Sequence, residues 1–296
     1  TVLHQISDDI SSKPFHLFKP MPSYRIGGRG WGRASATAGE NHPGGVMIYF
    51  NVNEELTDST VYTLTIKDTE GKEVRSFSTQ SKERDEQLEI TQNGNRFVWN
   101  MRYPDALSFK GLIMWAASTR GPLAVPGTYT ATLSNGKMEE VQEFEILGDP
   151  RSPATQADYQ MQFDFLQEVA EKLTETHQAI IDIRSLRDQI KEIMGKYPDF
   201  ERLNTEGKAI NKELTQIEEK LYQTKNQSNQ DPLNFPIQLN NKLAHLNSVV
   251  ASGNFKPTQQ AVSVKEEITA RINEELEKFA AIKTSKIPAL NQMIKE

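Results

Sequence analysis

The chain has 296 residues, 36% of them apolar and 25% charged, with a formal net charge of −6 and no cysteine. That composition suits a folded chain with room for about two domains. It argues against disorder, against a basic nucleic-acid-binding face, and against disulfides, thiolate nucleophiles or cysteine-held zinc. No apolar run approaches the roughly 20 residues of a membrane span.

The chain opens on Thr1-Val2-Leu3, which suits a cytosolic protein or an excised piece. The stretch Tyr24-Arg25-Ile26-Gly27-Gly28-Arg29-Gly30-Trp31-Gly32-Arg33 is glycine-rich but is not a phosphate loop, since no Gly-Lys-Ser/Thr follows it. Period-two patterning then begins. Val46, Ile48, Phe50 and Val52 alternate with Met47, Tyr49 and Asn51, and Tyr62, Leu64 and Ile66 alternate with threonines. A turn at 68–71 leads into Lys72-Glu73-Val74-Arg75, and Phe97, Trp99 and Met101 alternate again. Tyr129, Ala131 and Leu133 run into Asn135-Gly136, a strong hairpin signal. Val141, Phe144 and Ile146 on the return strand are spaced as if a bulge or twist lay between them. Short strands separated by turns predict an immunoglobulin-like β-sandwich over residues 1–149.

The composition changes at Leu147-Gly148-Asp149-Pro150-Arg151-Ser152-Pro153, where Ser152 before Pro153 reads as a helix N-cap. Beyond it, Tyr159, Phe163, Leu166, Ala170, Leu173, His177 and Ile180 step by four and three, a coiled-coil-type seam that continues to Gly195 and Pro198. Leu203, Gly207, Ile210, Leu214, Ile217 and Leu221 mark a second helix, with Gly207 as a close helix contact. Leu239, Leu243, Leu246 and Val250 mark a third. Val264, Ile268, Ile272, Leu276, Phe279 and Ile282 mark a fourth, which Pro288 kinks or ends. The spacing predicts an antiparallel four-helix bundle over residues 150–296, so the fold class is α+β by segregated domains. The bundle is expected to fold without the sandwich.

No nucleophile–histidine–acid grouping can be assembled, and the acidic pairs Asp8-Asp9 and Glu54-Glu55 read as solvated turns. His177 lies on the apolar seam without a helical-spaced metal partner, and reads as a histidine bonded to a neighbouring helix. No catalytic, cofactor-binding or metal residue is assigned, and the chain is not expected to be an enzyme by itself. Two aperiodic loops, Lys19 to Gly45 and Tyr103 to Pro126, are too long to be idle in a compact domain. They hold aromatics and arginines, the types enriched in interface cores, so the interface candidates are Tyr24, Arg25, Arg29, Trp31, Arg33, Trp115 and Arg120. These loops are expected to cover another domain or pack on the bundle; closure over the sandwich's own end is the alternative.

Gly94-Asn95-Arg96-Phe97-Val98-Trp99-Asn100 with Val125-Pro126-Gly127-Thr128-Tyr129 resembles the Ig-like domain of flagellar hook-capping proteins. A longer set comprises Tyr103-Pro104-Asp105, the run from Ser118 to Tyr129, Asp149-Pro150-Arg151-Ser152, Ala154 to Asp158, Leu233-Asn234-Phe235-Pro236 and Leu239 to Leu243. It resembles the C-terminal region of bacterial sortilin-type proteins. These are exported proteins built on β-propellers of neuraminidase-type repeats and often labelled glycosyl hydrolases. The resemblance implies an accessory region that docks on or extends an upstream propeller of the same polypeptide, with export to the periplasm, cell surface or medium. Any hydrolase activity would then belong to the upstream part. A glycan- or peptide-binding module is the other reading.

Overall fold

The computed structural model describes residues 2–26, 42–57 and 59–295. The chain divides into two compact units. The first comprises residues 1–104 and 122–163, and the second residues 105–121 and 164–296. The change of sequence character near Asp149 marks where strands give way to helices. The units divide elsewhere, because residues 105–121 belong with the helices and the start of the first helix belongs with the sheets.

Among the described residues the first unit holds eight strands: β1 (Phe15–Leu17), β2 (Ser23–Arg25), β3 (Val46–Val52), β4 (Thr63–Lys67), β5 (Glu73–Ser78), β6 (Asn93–Trp99), β7 (Gly127–Ser134) and β8 (Glu139–Gly148). They form a three-stranded sheet in the order β1-β3-β6 and a five-stranded sheet in the order β2-β8-β7-β4-β5. Among these described strands the pairings are antiparallel except that of β2 with β8. One apolar core joins the inner faces: Phe15, Ile48, Phe50 and Trp99 from the smaller sheet, and Leu64, Ile66, Leu133, Phe144 and Ile146 from the larger. That is a β-sandwich, with period-two alternation setting which side chains point inward. Val141 corrects one expectation. The β7–β8 ladder runs without a shift from Ser134↔Glu139 to Gly127↔Ile146. Val141 is 55% exposed and simply lies on the outer face, so no bulge is needed. Tyr129 donates its hydroxyl to Val125 O at 2.9 Å, a tyrosine-corner contact, and its ring packs on Trp99 and Phe144.

Four long helices follow: α1 (Gln156–Lys196), α2 (Glu201–Leu221), α3 (Leu239–Val250) and α4 (Gln259–Ala281). A π-turn at Ile282–Lys286 connects α4 to a short α5 (Ile287–Lys295). The N-cap of α1 is Thr155, not Ser152. Asp158 N–H donates to Thr155 Oγ1 at 3.2 Å and Thr155 N–H to Asp158 Oδ2 at 2.8 Å, a reciprocal capping box that outcompetes the Ser-Pro signal. Pro288 neither ends nor breaks the last helix. It lacks an N–H and would crowd the carbonyl four residues back, and the wider π-turn directly before it makes room. On α1 a second buried stripe (Gln162, Phe165, Val169, Thr176, Ile183) lies beside the expected seam, and Val264 on α4 is exposed instead of inward. The helical core is one apolar cluster drawn from α1–α5. Among the described residues, no helix is long and apolar enough to cross a membrane.

Candidate interaction site

The interface candidates have different fates. Arg29, Trp31 and Arg33 lie outside the described residues. Tyr24 is exposed on β2, while its neighbour Arg25 turns inward and is only 3% exposed. Arg25 Nη1 donates to Ala124 O at 3.2 Å, Nη2 donates to Gln162 Oε1, and the guanidinium stands 4.9 Å from the Tyr159 ring centre. Burial lowers its pKa to about 10. Arg25 is therefore an internal tie between β2, the chain before β7 and the first turns of α1, not an open interface residue. Its Nε finds no partner among the described residues.

Trp115 and Arg120 lie in residues 105–121, which form no strand although the run Leu112-Ile113-Met114-Trp115 is strand-like in composition. This segment, here called the strap, is an irregular loop that lacks a sheet, so its backbone groups need other partners. Polar side chains of the helices supply them. Leu107 N–H donates to Thr174 Oγ1 at 3.1 Å, and Leu107 O is 2.5 Å from His177 Nδ1. Tyr222 Oη donates to Gly111 O at 3.1 Å and accepts from Ile113 N–H at 3.2 Å. The Asn241 side chain takes both backbone groups of Trp115, accepting from its N–H at 2.7 Å and donating to its carbonyl at 2.9 Å. His245 Nδ1 is 2.7 Å from Ala116 O, and Asn247 Nδ2 donates to Arg120 O at 2.7 Å. The strap closes on itself at its ends, through Ala106 N–H to Thr119 O and Gly121 N–H to Asp105 Oδ1, each at 2.8 Å.

Apolar packing holds the other side of the strap. Ala106 is buried in the helical core, and Phe109, Leu112, Met114 and Ala117 pack against it. The Phe109 ring stands edge-on to His177 and to Tyr222, with Arg184 4.7 Å over its centre. Arg184 and Arg187 both donate to the buried carboxylate of Glu218, at 2.6 and 2.5 Å, which fixes the cation under the strap. Ala116 adopts φ 48°, a left-handed conformation that costs a Cβ-bearing residue about 1 kcal/mol or more. Immediately before it, Trp115 is 40% exposed. The arrangement locks a strained backbone and leaves an indole at the surface.

His177 has a defined role in this network. It is 0% exposed. Its Nδ1–H must donate to Leu107 O, because a carbonyl only accepts, and Nε2 is then the acceptor for Asn240 Nδ2 at 3.2 Å. Burial pushes its pKa below the ordinary 6.5, with the Leu107 carbonyl opposing only in part. The expected bond to a neighbouring helix is therefore the one to α3; the bond to the strap could not be read from spacing. Asn240, Asn241 and Asn247 escaped the sequence reading because asparagine on a helix looks like a solvated face. A usable signal was present: three weak helix formers flank the Leu239-Leu243-Leu246 stripe in a helix of 12 residues.

No protein-family model and no curated protein sequence matches the chain.

Proposed function

We propose that this chain is a non-catalytic interaction region in which the helical unit holds Trp115 out as a preorganised anchor for a protein partner. Following the resemblance to sortilin-type proteins, the partner is an upstream propeller of the same exported polypeptide. The observation that carries the reading is the backbone at Trp115–Ala116. Both backbone groups of Trp115 are taken by Asn241, the next residue is strained, and helix side chains hold six further backbone groups of the strap, at five residues, that bring no visible benefit to an indole facing solvent. Persistent strain beside an exposed aromatic is a recognised mark of a binding site, and rigid aromatic anchors dominate interface energetics. A glycan is the second reading, since an exposed indole also offers an apolar platform.

The test is Trp115→Ala in the full-length protein and in this chain alone. The reading expects faster proteolysis between this region and the upstream part, with the melting temperature of this chain alone nearly unchanged. Unchanged proteolysis, or a loss of about 3 kcal/mol in the isolated chain, the cost of emptying a core site, would overturn it. Binding of the wild-type chain to an immobilised glycan panel, lost on the same substitution, would transfer the role to the glycan reading.

A further inference from the structure

We propose that the strap and α3 together form a cationic strip around Trp115 that receives an acidic segment of a protein partner. This names the chemistry of the partner, and it rests on the reading of Trp115 as an anchor. The first observation is a missing residue type. The chain has 40 acidic against 34 basic residues, yet neither residues 106–138 nor residues 232–265 hold an aspartate or a glutamate. The strap after Asp105 and the whole of α3 come from these two stretches. The longer helices differ, since α1, α2 and α4 each carry several carboxylates. Asp105, at the mouth of the strap, is engaged by Gly121 N–H. Lys110, Arg120 and Lys242 therefore meet no free carboxylate on their own elements. None of the three forms an ion pair among the described residues.

Hydrogen bonds fix where the cations near the indole stand. The strap follows α3 in step with it: Asn241 holds Trp115, His245 holds Ala116, Ala244 O accepts from Ser118 N–H at 3.4 Å, and Asn247 holds Arg120 O. From Asn241 to Asn247 a helix rises only about 9 Å. Along that length lie the exposed Trp115 and Arg120, with Lys242, partly exposed, directly after Asn241. Val249, 50% exposed, extends the apolar surface by less than a turn. An extended peptide advances about 3.3 Å per residue, so three or four residues cover the strip. An apolar side chain on the indole with acidic neighbours on either side matches what the strip offers. Aromatics and arginine are the types enriched in protein interfaces, and complementary charge around them sets partner and register. A phosphate polymer fits less well. Duplex DNA carries one charge per about 1.7 Å and binds densely clustered cations, whereas these stand apart. The chain's net charge of −6 also repels nucleic acid and an anionic bilayer as whole bodies.

The experiment is an NMR titration of the intact chain with two blocked hexapeptides, one alternating glutamate with leucine and one alternating lysine with leucine. A short DNA duplex and phosphatidylglycerol vesicles are titrated beside them. The Trp115 indole N–H, assigned through Trp115→Phe, and the amides of 115–121 and 241–248 should shift with the glutamate peptide and not with the lysine peptide. Raising the salt from about 0.01 to about 0.15 M shortens the Debye length from about 30 to about 8 Å and should weaken binding about fivefold. Arg120→Glu with Lys242→Glu should weaken it by more than about tenfold. Lys191→Glu with Lys196→Glu, the same change in net charge at the exposed end of α1, should leave it unchanged. No shift with the glutamate peptide, shifts that survive the Arg120 and Lys242 reversal, or an equal loss in the α1 control would overturn the proposal. So would DNA or vesicles binding at lower concentration than the peptide, a result that would assign the strip to phosphate. The two readings fail separately. If Trp115→Ala speeds proteolysis of the full-length protein and the charge reversal does not, the anchor stands and the acidic partner falls. If peptide binding is lost on reversal and untouched by Trp115→Ala, the acidic ligand stands and the anchor falls.

Discussion

Asn241 shows how much one side chain can hold. Its amide imitates a neighbouring strand for a single residue, taking the N–H and the carbonyl of Trp115 at once. Asn241→Ala removes both partners from partly buried backbone groups, so a loss of about 1–3 kcal/mol is expected. Urea unfolding of the helical unit would measure it, and exchange at Trp115 and Ile113 should rise in parallel. Tyr129 is the comparable case among the strands. Burial raises its pKa to about 12, and its hydroxyl fastens Val125 O four residues upstream. Tyr129→Phe keeps the ring packed on Trp99 and removes the hydroxyl's bonds to Val125 O and to Tyr103, for an expected loss of about 1–2 kcal/mol. Trp99 and its alternating neighbours were legible as inward residues, since a strand allows only two faces. The asparagines of α3 were not, because Asn241 and Asn247 hold backbone groups 126 and 127 positions away and Asn240 holds the His177 ring 63 positions away, and spacing carries no trace of such partners. The same blindness applied to Arg25: a charged residue beside exposed Tyr24 reads as surface, while its burial depends on Tyr159 and Gln162.

Among the elements, legibility followed periodicity. Every residue assigned to the inner face of α2 is buried there, from Leu203 through Gly207 to Leu221. Gly207 illustrates the physical cause. A Cβ on it would meet Met194 Sδ at 2.6 Å and Ile190 Cγ2 at 3.2 Å, so α1 approaches α2 where only hydrogen fits. Gly207→Ala would gain about 1 kcal/mol of helix propensity and incur roughly 1–3 kcal/mol of overpacking, eased because Met194 is flexible. The expected result is a net loss on the order of 1 kcal/mol by thermal or urea unfolding. A second change, Met194→Ala, should recover part of it by making room; a gain in stability from Gly207→Ala alone would show the contact is loose. Element ends were harder to read. The Thr155–Asp158 capping box prevailed over Ser152-Pro153 because two reciprocal bonds satisfy more of the first-turn donors than proline spares. The strap was hardest of all. Its Leu-Ile-Met-Trp run has strand-like composition, yet no edge receives it, and helix side chains complete its ladder instead.

The division of the chain into units bears on what can be cut from it. The change of composition near Asp149 suggests that the helices alone, from about residue 152, form a complete bundle. The strap makes that incomplete. Ala106 sits within the helical core, Phe109, Leu112, Met114 and Ala117 cover part of it, and these residues lie in the chain well before the cut. Without them the hydroxyls of Thr174 and Tyr222, the ring of His177 and the amides of Asn241 and Asn247 lose their backbone partners, and the apolar surface beneath meets water. At about 25 cal/mol per Å² of apolar surface, a strap of this kind contributes several kcal/mol, a large share of the net stability of an ordinary domain. A protein of residues 152–296 should therefore still be helical by circular dichroism but melt at a lower temperature than the helices of the whole chain, and bind a hydrophobic dye. Adding a synthetic peptide of residues 105–121 should raise that melting temperature in proportion to the logarithm of its concentration, as for any ligand that binds only the folded state. The same peptide carrying alanine at Phe109 and Leu112 should raise it less. If residues 152–296 melt at the temperature of the whole chain and the peptide changes nothing, the strap is a passenger on a self-sufficient bundle, and the hydrogen bonds that grip it do not contribute to the stability of the helices.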